Sequence, residues 1–153
     1  MPIPEERHPV PSPKSEKLML EVVTPTKIEL AKEVDLVIAP TIKGRIGILP
    51  RHIRLMTILE TGILEYKING QQYFMAVSEG YLEVTPHKVI VLAEAADLPE
   101  HIDVEQALAE KRQAEADLNR PMDERISFAR TQVSLQRAIT KLQVVRKYGS
   151  KKD

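Results

Sequence analysis

The residues able to do chemistry fall into two groups: four isolated histidines, and a C-terminal third whose charges are segregated by sign. His8, His52, His87 and His101 occupy a proline-rich tail, two turns and a linker, with no HExxH and no paired spacing that a metal ion would require. Cysteine is absent, which removes thiolate nucleophiles, thiolate metal sites and disulfides together. Neither a GxSxG elbow nor a phosphate-cradling GxxxxGK(S/T) loop is present, so acyl or phosphoryl transfer has no visible machinery. The chain does not read as an enzyme.

The charges are more informative. From Glu100 to Leu118 there are six acids against Lys111 and Arg112, whereas from Asp123 to Asp153 three acids face eight bases, among them Arg125, Arg130, Arg137, Lys141, Arg146 and Lys147. Mutual attraction plus solvation of exposed faces is the plain explanation. The sharper one makes the basic segment, through Arg125, Arg130 and Arg137, a docking surface for an acidic partner. Its only aromatics are Phe128 and Tyr148, too few to stack bases, which argues against nucleic acid.

Two kinds of element must position these groups. From Leu18 to Ala96, short runs of valine, isoleucine and leucine are cut by glycine or proline every few residues, the pattern of strands joined by turns. Strands are expected near 18–24, 27–30, 33–39, 46–49, 54–58, 63–68, 72–78, 80–85 and 88–94. Asn69-Gly70 marks a tight hairpin, because both residues accept positive φ. With no helix intervening, two packed antiparallel sheets or a flattened barrel is the economical architecture, and with two phenylalanines and four tyrosines its core must be aliphatic. After Pro99 the period becomes helical. Asp103 is an N-cap with Gln106 as capping-box partner, and a first helix runs to about Leu118. Pro121 breaks it, Asp123 opens a second, and that helix is expected to reach Tyr148, before Gly149. Ile126, Ala129, Val133, Leu135, Ile139, Leu142 and Val145 cover one broad side of it, so the two helices form an antiparallel hairpin with an alanine-rich seam.

The fold class is therefore α+β: a proline-rich arm over 1–17, an antiparallel β-sandwich over 18–98, a two-helix hairpin over 99–148 and a short basic tail over 149–153. Five of the eleven prolines fall in the first 13 residues, which makes the arm a disordered segment; a solvated tail is preferred over a ligand for a proline-reading groove. Bases and acids balance at 22 each, so no global field draws the 153-residue chain to nucleic acid or an anionic membrane. The N-terminus lacks the apolar core of a signal peptide, and no 18-residue apolar run follows it, which points to an intracellular protein.

LEVVTP (20–25), GRIGILPRHIRLMTIL (44–59), VSEGYLEVTPHKVIVLAEAA (77–96), IDVEQA (102–107) and LQRAITKLQV (135–144) resemble, in order and spacing, the epsilon subunit of F-type ATP synthases. The likeness covers about 18–147, and its most specific part is the GILP-x-H turn followed by the VSxGxLEV strand. It implies a ten-stranded β-sandwich with a helical hairpin, placed in the rotating central stalk on the cytoplasmic face of the inner or plasma membrane. It also implies binding of the sandwich to the gamma subunit and the ring of c subunits. The hairpin of this family either lies folded on the sandwich or extends into the catalytic head, where its basic helix meets the beta subunit, beside alpha, and hinders ATP hydrolysis.

Residue by residue, the resemblance makes Lys43, Arg45 and His52 candidates for the gamma and c-ring contacts, and Arg125, Arg130 and Arg137 candidates for beta-subunit docking. Relatives that bind ATP carry I/L-D-x-x-R-A on the folded hairpin. Here Ile102, Asp103 and Ala107 match that motif, and Arg137 and Lys141 match basic positions on the second helix. Gln106 and Gln113 stand where arginines are expected, so ATP affinity should be weak or absent; a mainly ATP-sensing module is the alternative reading. Lys43-Gly44-Arg45 is basic where relatives often carry acids, so the facing ring loops should be acidic or neutral. Arg51, Arg54 and Glu79 likewise replace a glycine, a proline and a glycine.

Overall fold

The computed structural model describes residues 16–120 and 125–151; residues 1–15 of the arm expected over 1–17, the break at Pro121, the helix opening at Asp123 and the last two residues of the tail lie outside the described residues. Ten strands form: β1 Leu18–Val23, β2 Ile28–Val34, β3 Leu36–Thr41, β4 Gly44–Ile48, β5 Leu55–Leu59, β6 Gly62–Ile68, β7 Gln71–Val77, β8 Gly80–Val84, β9 Lys88–Ala93 and β10 Ala96–Asp97. They hydrogen-bond in the order β10-β7-β6-β3-β5-β8-β9-β1-β2, with β4 on the free side of β3.

Alternation explains most of this. Leu18, Leu20 and Val22 of β1 and Val89, Val91 and Ala93 of β9 point inward, with the intervening residues outward. Between β3 and β5 only Thr41 and Leu59 pair, and there the sheet folds over. Both halves therefore supply one aliphatic core, in which Leu20, Val37, Leu64, Met75 and Leu82 meet. The Asn69-Gly70 turn joins β6 to β7 with both residues at positive φ, 51° and 82°, as expected from their types. Gly80 is required for another reason: a Cβ there would lie 1.8 Å from the Leu92 carbonyl oxygen.

Several boundaries differ from expectation. The strands expected at 27–30 and 33–39 are β2 and β3, separated by Asp35 alone. The Asp35 carboxylate accepts from the Asn69 amide and pairs with Lys17, and the Lys17 hydrogen bond, the largest influence, helps hold the carboxyl below its usual range. β1 pairs with β9 in parallel, so the sandwich is not wholly antiparallel. The cause is topological, because β1 is inserted between β9 and its own hairpin partner β2. β10 is too short to leave a periodic signal.

A short 3-10 helix, Pro99–His101, leads into α1, Val104–Leu118, and α2 spans Arg125–Lys151. The Asp103 carboxylate caps α1 by accepting from the Gln106 amide at 3.1 Å. The reciprocal half of the capping box is not made, since the Gln106 side chain donates to Glu110 instead. α2 continues through Gly149, because glycine lowers helix propensity by about 1 kcal/mol without forbidding helix. The seam is alanine-rich as expected, with Ala107, Ala114 and Ala138 buried, but Thr140 and Val144 are buried too while Val133 is 40% exposed. The reason is that α2 has two neighbours, α1 on one side and β6 and β7 on the other. Thr140 hides its hydroxyl by donating to the Gln136 carbonyl.

Candidate functional site

The hairpin docks on the outer face of β6 and β7, where Val144 and Ile102 pack on Ile63, Phe74 and Ala76. Lys147 adds its ammonium over the Phe74 ring, 5.4 Å from the centroid. At the far end of this contact, Arg137 of α2 donates through Nη2 to Glu79 at the β7–β8 turn, 2.5 Å away. Thr61 Oγ1 donates to the other carboxylate oxygen at 2.7 Å. Burial pushes the Glu79 carboxyl up, yet the hydrogen bonds from Thr61 and Arg137 outweigh it and hold the group below its usual value of 4.5. Arg137 and Glu79 side chains are 37% and 42% exposed, so solvent screens the pair without dissolving it.

The opposite charges of the two helices meet where Lys141 of α2 pairs with Glu110 of α1 at 3.4 Å. This is the mutual attraction expected from the charge segregation. Arg130 remains exposed on α2, beside Glu110, Gln113 and Asp117 of α1. The Arg125 side chain lies outside the described residues.

The motif residues on the hairpin are divided among separate tasks. Ile102 packs on the sheet, Asp103 caps α1 and Ala107 is buried in the seam. Arg137 and Lys141 line a cavity of about 110 Å³ with Ser78, Asp97 and Thr140. Pockets that hold small-molecule ligands are commonly about 300–1,000 Å³. Gln106 and Gln113, in the positions expected to carry arginine, donate to Glu110 and Asp117 at 3.1 and 2.9 Å.

The three residues expected at the rotor contacts sit at opposite ends of the sandwich. Thr41 pairs with Leu59 and Leu59 with Gly80, so the β3–β4 turn carrying exposed Lys43 lies at the Glu79 end. Arg45 is committed, donating to the Ile63 carbonyl at 3.0 Å and pairing with Glu65 at 3.3 Å. His52 is at the other end, near the β8–β9 turn, where its neighbour's Arg51 amide donates to the Pro86 carbonyl. Its Nδ1 lies 2.7 Å from the Ile53 carbonyl oxygen. Among the described residues, no three His, Asp or Glu side chains converge as metal ligands would.

One surface was not anticipated. On the outer face of the other layer, Ile58, Tyr81, Leu92, Val23 and Ile28 lie directly opposite one another across β5, β8, β9, β1 and β2, with Ile58 at the hairpin end, where it lines a cavity with Leu118, Ala129 and Val133. Ile58, Tyr81, Leu92 and Ile28 are 46%, 58%, 43% and 64% exposed, a continuous apolar row on an outer sheet face. The signal in the sequence is that outward positions, ordinarily polar in a half-buried strand, carry large apolar residues in register.

Comparison with known proteins agrees with this architecture. The profile described as "ATP synthase, Delta/Epsilon chain, beta-sandwich domain" matches residues 17–99, and "ATP synthase, Delta/Epsilon chain, long alpha-helix domain" matches 100–146. An ATP synthase epsilon chain of Dehalococcoides mccartyi is 42% identical over 131 residues, 86% of this chain and 94% of the relative. That of Nitratidesulfovibrio vulgaris is 43% identical over 127 residues, covering 83% and 94%. A chain in the Euglena gracilis mitochondrial ATP synthase, OSCP/F1/c-ring, shares the fold with TM-score 0.68 at 22% identity, over 78% of this chain and 76% of that one. One in the Tetrahymena thermophila central stalk/c-ring gives 0.57 at 13% identity, over 85% and 97%.

Proposed function

The chain belongs to the ATP synthase delta/epsilon chain family, and from that premise we propose that it is a non-catalytic rotor subunit of the central stalk that couples c-ring rotation to the catalytic head and brakes ATP hydrolysis through its hairpin. The observation that carries the proposal is the exposed apolar row on the outer face of the β5-β8-β9-β1-β2 layer, which borders the hairpin only at Ile58. A collar on a turning shaft needs a firm docking face that stays engaged while the regulatory tail moves, and the two outer faces of this sandwich divide in that way. The gamma subunit covers the Ile58–Tyr81–Leu92 side, and the c-ring meets an end of the sandwich. Because Arg45 is engaged with Glu65, the ring contact there falls to Lys43.

The brake follows from Arg137. While the hairpin lies on the sandwich, this arginine is occupied by Glu79; once the hairpin leaves, it joins Arg130 and Arg125 on a basic helix that fits an acidic loop of the beta subunit, beside alpha. ATP binds weakly if at all, because Gln106 and Gln113 bring no charge and Arg137 and Lys141 already hold carboxylates. Among the described residues no helix is long and apolar enough to cross a membrane. Attachment to the cytoplasmic face of the inner or plasma membrane is peripheral, through the complex. Removing residues after Leu98 tests the brake: assembly and synthesis persist while hydrolysis rises, and unchanged hydrolysis by the truncated complex would reject it. Calorimetry with ATP tests the alternative sensing module, which micromolar binding would support.

A further inference from the structure

The outer face that bears the apolar row also bears a second row. Past the inward-pointing positions, Met56, Glu83, Ile90, Glu21 and Ala31 lie directly opposite one another across β5, β8, β9, β1 and β2. Alternation puts both rows on the same side of the sheet, since Leu82, Val91 and Val22, which stand between them, are buried in the core. Met56 is 69% exposed and extends the apolar surface beside Ile58. Together the two rows carry the carboxylates of Glu83 and Glu21 and no base.

Glu21 is answered from within the chain, its carboxylate pairing with Lys88 Nζ at 3.0 Å. Glu83 is not. Among the described residues its side chain makes no hydrogen bond or ion pair, and it stands half-buried with Met56 and Ile90 opposite it on either side and Tyr81 two residues before it. β8 lies between β5 and β9, so this carboxylate is set within the face. Glutamate is depleted both from strands and from the centres of protein interfaces, which makes its place here conspicuous. Water satisfies it while the face is bare. A partner lying on the row would remove that water, and a dry carboxylate without a partner is among the most costly groups to bury.

A stable cover must therefore bring a donor of its own. A second copy of this chain would set carboxylate against carboxylate, and an anionic surface would do the same. The occupant that fits offers apolar side chains with a base among them. We propose that the gamma subunit, in covering the apolar row, places a lysine or arginine on the Glu83 carboxylate, and that this pair fixes the register in which the two proteins dock. Apolar contact along a row tolerates sliding, whereas a dry charge pair is satisfied in one register alone. The inference rests on the rotor assignment and adds to it the charge that the partner must carry.

Binding of the full-length chain to purified gamma subunit, measured at low and high salt, provides the test. Glu83→Gln should bind at least about tenfold more weakly than the parent at low salt and show a smaller loss of affinity as salt rises. Glu83→Asp, which keeps the charge, should recover most of the affinity. Glu105→Gln removes the same charge from an exposed position on α1 and should bind as the parent does. Urea unfolding with an unchanged midpoint shows that each variant is folded. Equal or tighter binding by Glu83→Gln would overturn this proposal alone, as would a Glu83→Asp variant no better than Glu83→Gln. Failure of the parent chain itself to bind gamma would overturn the rotor assignment, and this inference with it.

Discussion

Replacing Glu79 by glutamine should loosen the hairpin and leave the sandwich intact. Glu79→Gln keeps an oxygen for the Thr61 hydroxyl but removes the charge facing Arg137. A partly exposed, well-aligned arginine–carboxylate pair contributes about 1 kcal/mol, the upper part of the range for solvent-accessible pairs. The remaining contact, Val144 and Ile102 on Ile63, Phe74 and Ala76, is unchanged. Since 1.4 kcal/mol is tenfold in an equilibrium constant, the undocked fraction should rise about fivefold. Amide hydrogen exchange reads this directly, because a helix cut off from its packing partner frays. Amides from Ala138 to Val144 should exchange about fivefold faster, with those of Leu20 and Val91 unaltered. In a double-mutant cycle, adding Arg137→Gln should cost little more than either change alone. A change below about twofold in α2, or an equal change in β1 and β9, would refute the assignment of Glu79 as the hairpin's anchor.

The same pair sets a pH dependence. Because the docked Glu79 carboxyl is held below its usual value of 4.5, its contribution to docking is present above that pH and is lost as pH falls through the lowered value; acid titration followed by exchange in α2 should show the hairpin loosening first. Gly80→Ala should destabilise the whole sandwich, by on the order of 3 kcal/mol, since its Cβ would meet the Leu92 backbone; urea unfolding by circular dichroism measures it. Ala138→Leu should overfill the hairpin seam and weaken docking by about 1–3 kcal/mol, seen as protease cleavage after Pro99 at concentrations that spare the parent chain.

What could be read in advance follows from the range of the interactions. Local chemistry announces itself: Asn69-Gly70 specifies its hairpin, Asp103 its cap, and alternating Leu18, Leu20 and Val22 an inward strand face. Contacts between distant residues leave no such mark. Glu79 and Arg137 are 58 positions apart, and nothing in either segment indicates that they meet. The parallel pairing of β1 with β9 is likewise a matter of chain path, invisible to periodicity. The buried residues of α2, Ala138, Thr140 and Val144, fall outside the expected set, in which Ala129 and Val133 are exposed, because one helical period cannot tell a helix with one neighbour from a helix with two. Of the candidate site residues, Lys141 revealed its charge partner through the sign segregation of the helices, whereas the commitment of Arg45 to Glu65 depends on residues 20 positions apart being brought together. The apolar row needed the register of five strands before its members became neighbours.

The account's central claim is that the outer face of the β5-β8-β9-β1-β2 layer grips the rotor shaft. Tyr81→Cys places a unique thiol in the middle of that face, and a bifunctional cross-linker applied to membranes carrying the assembled enzyme reports what covers it. The account predicts one major product, with the gamma subunit, and none from a thiol placed at Arg112 on the exposed side of α1. A fully reactive Tyr81→Cys thiol that yields no product with any rotor subunit would contradict it.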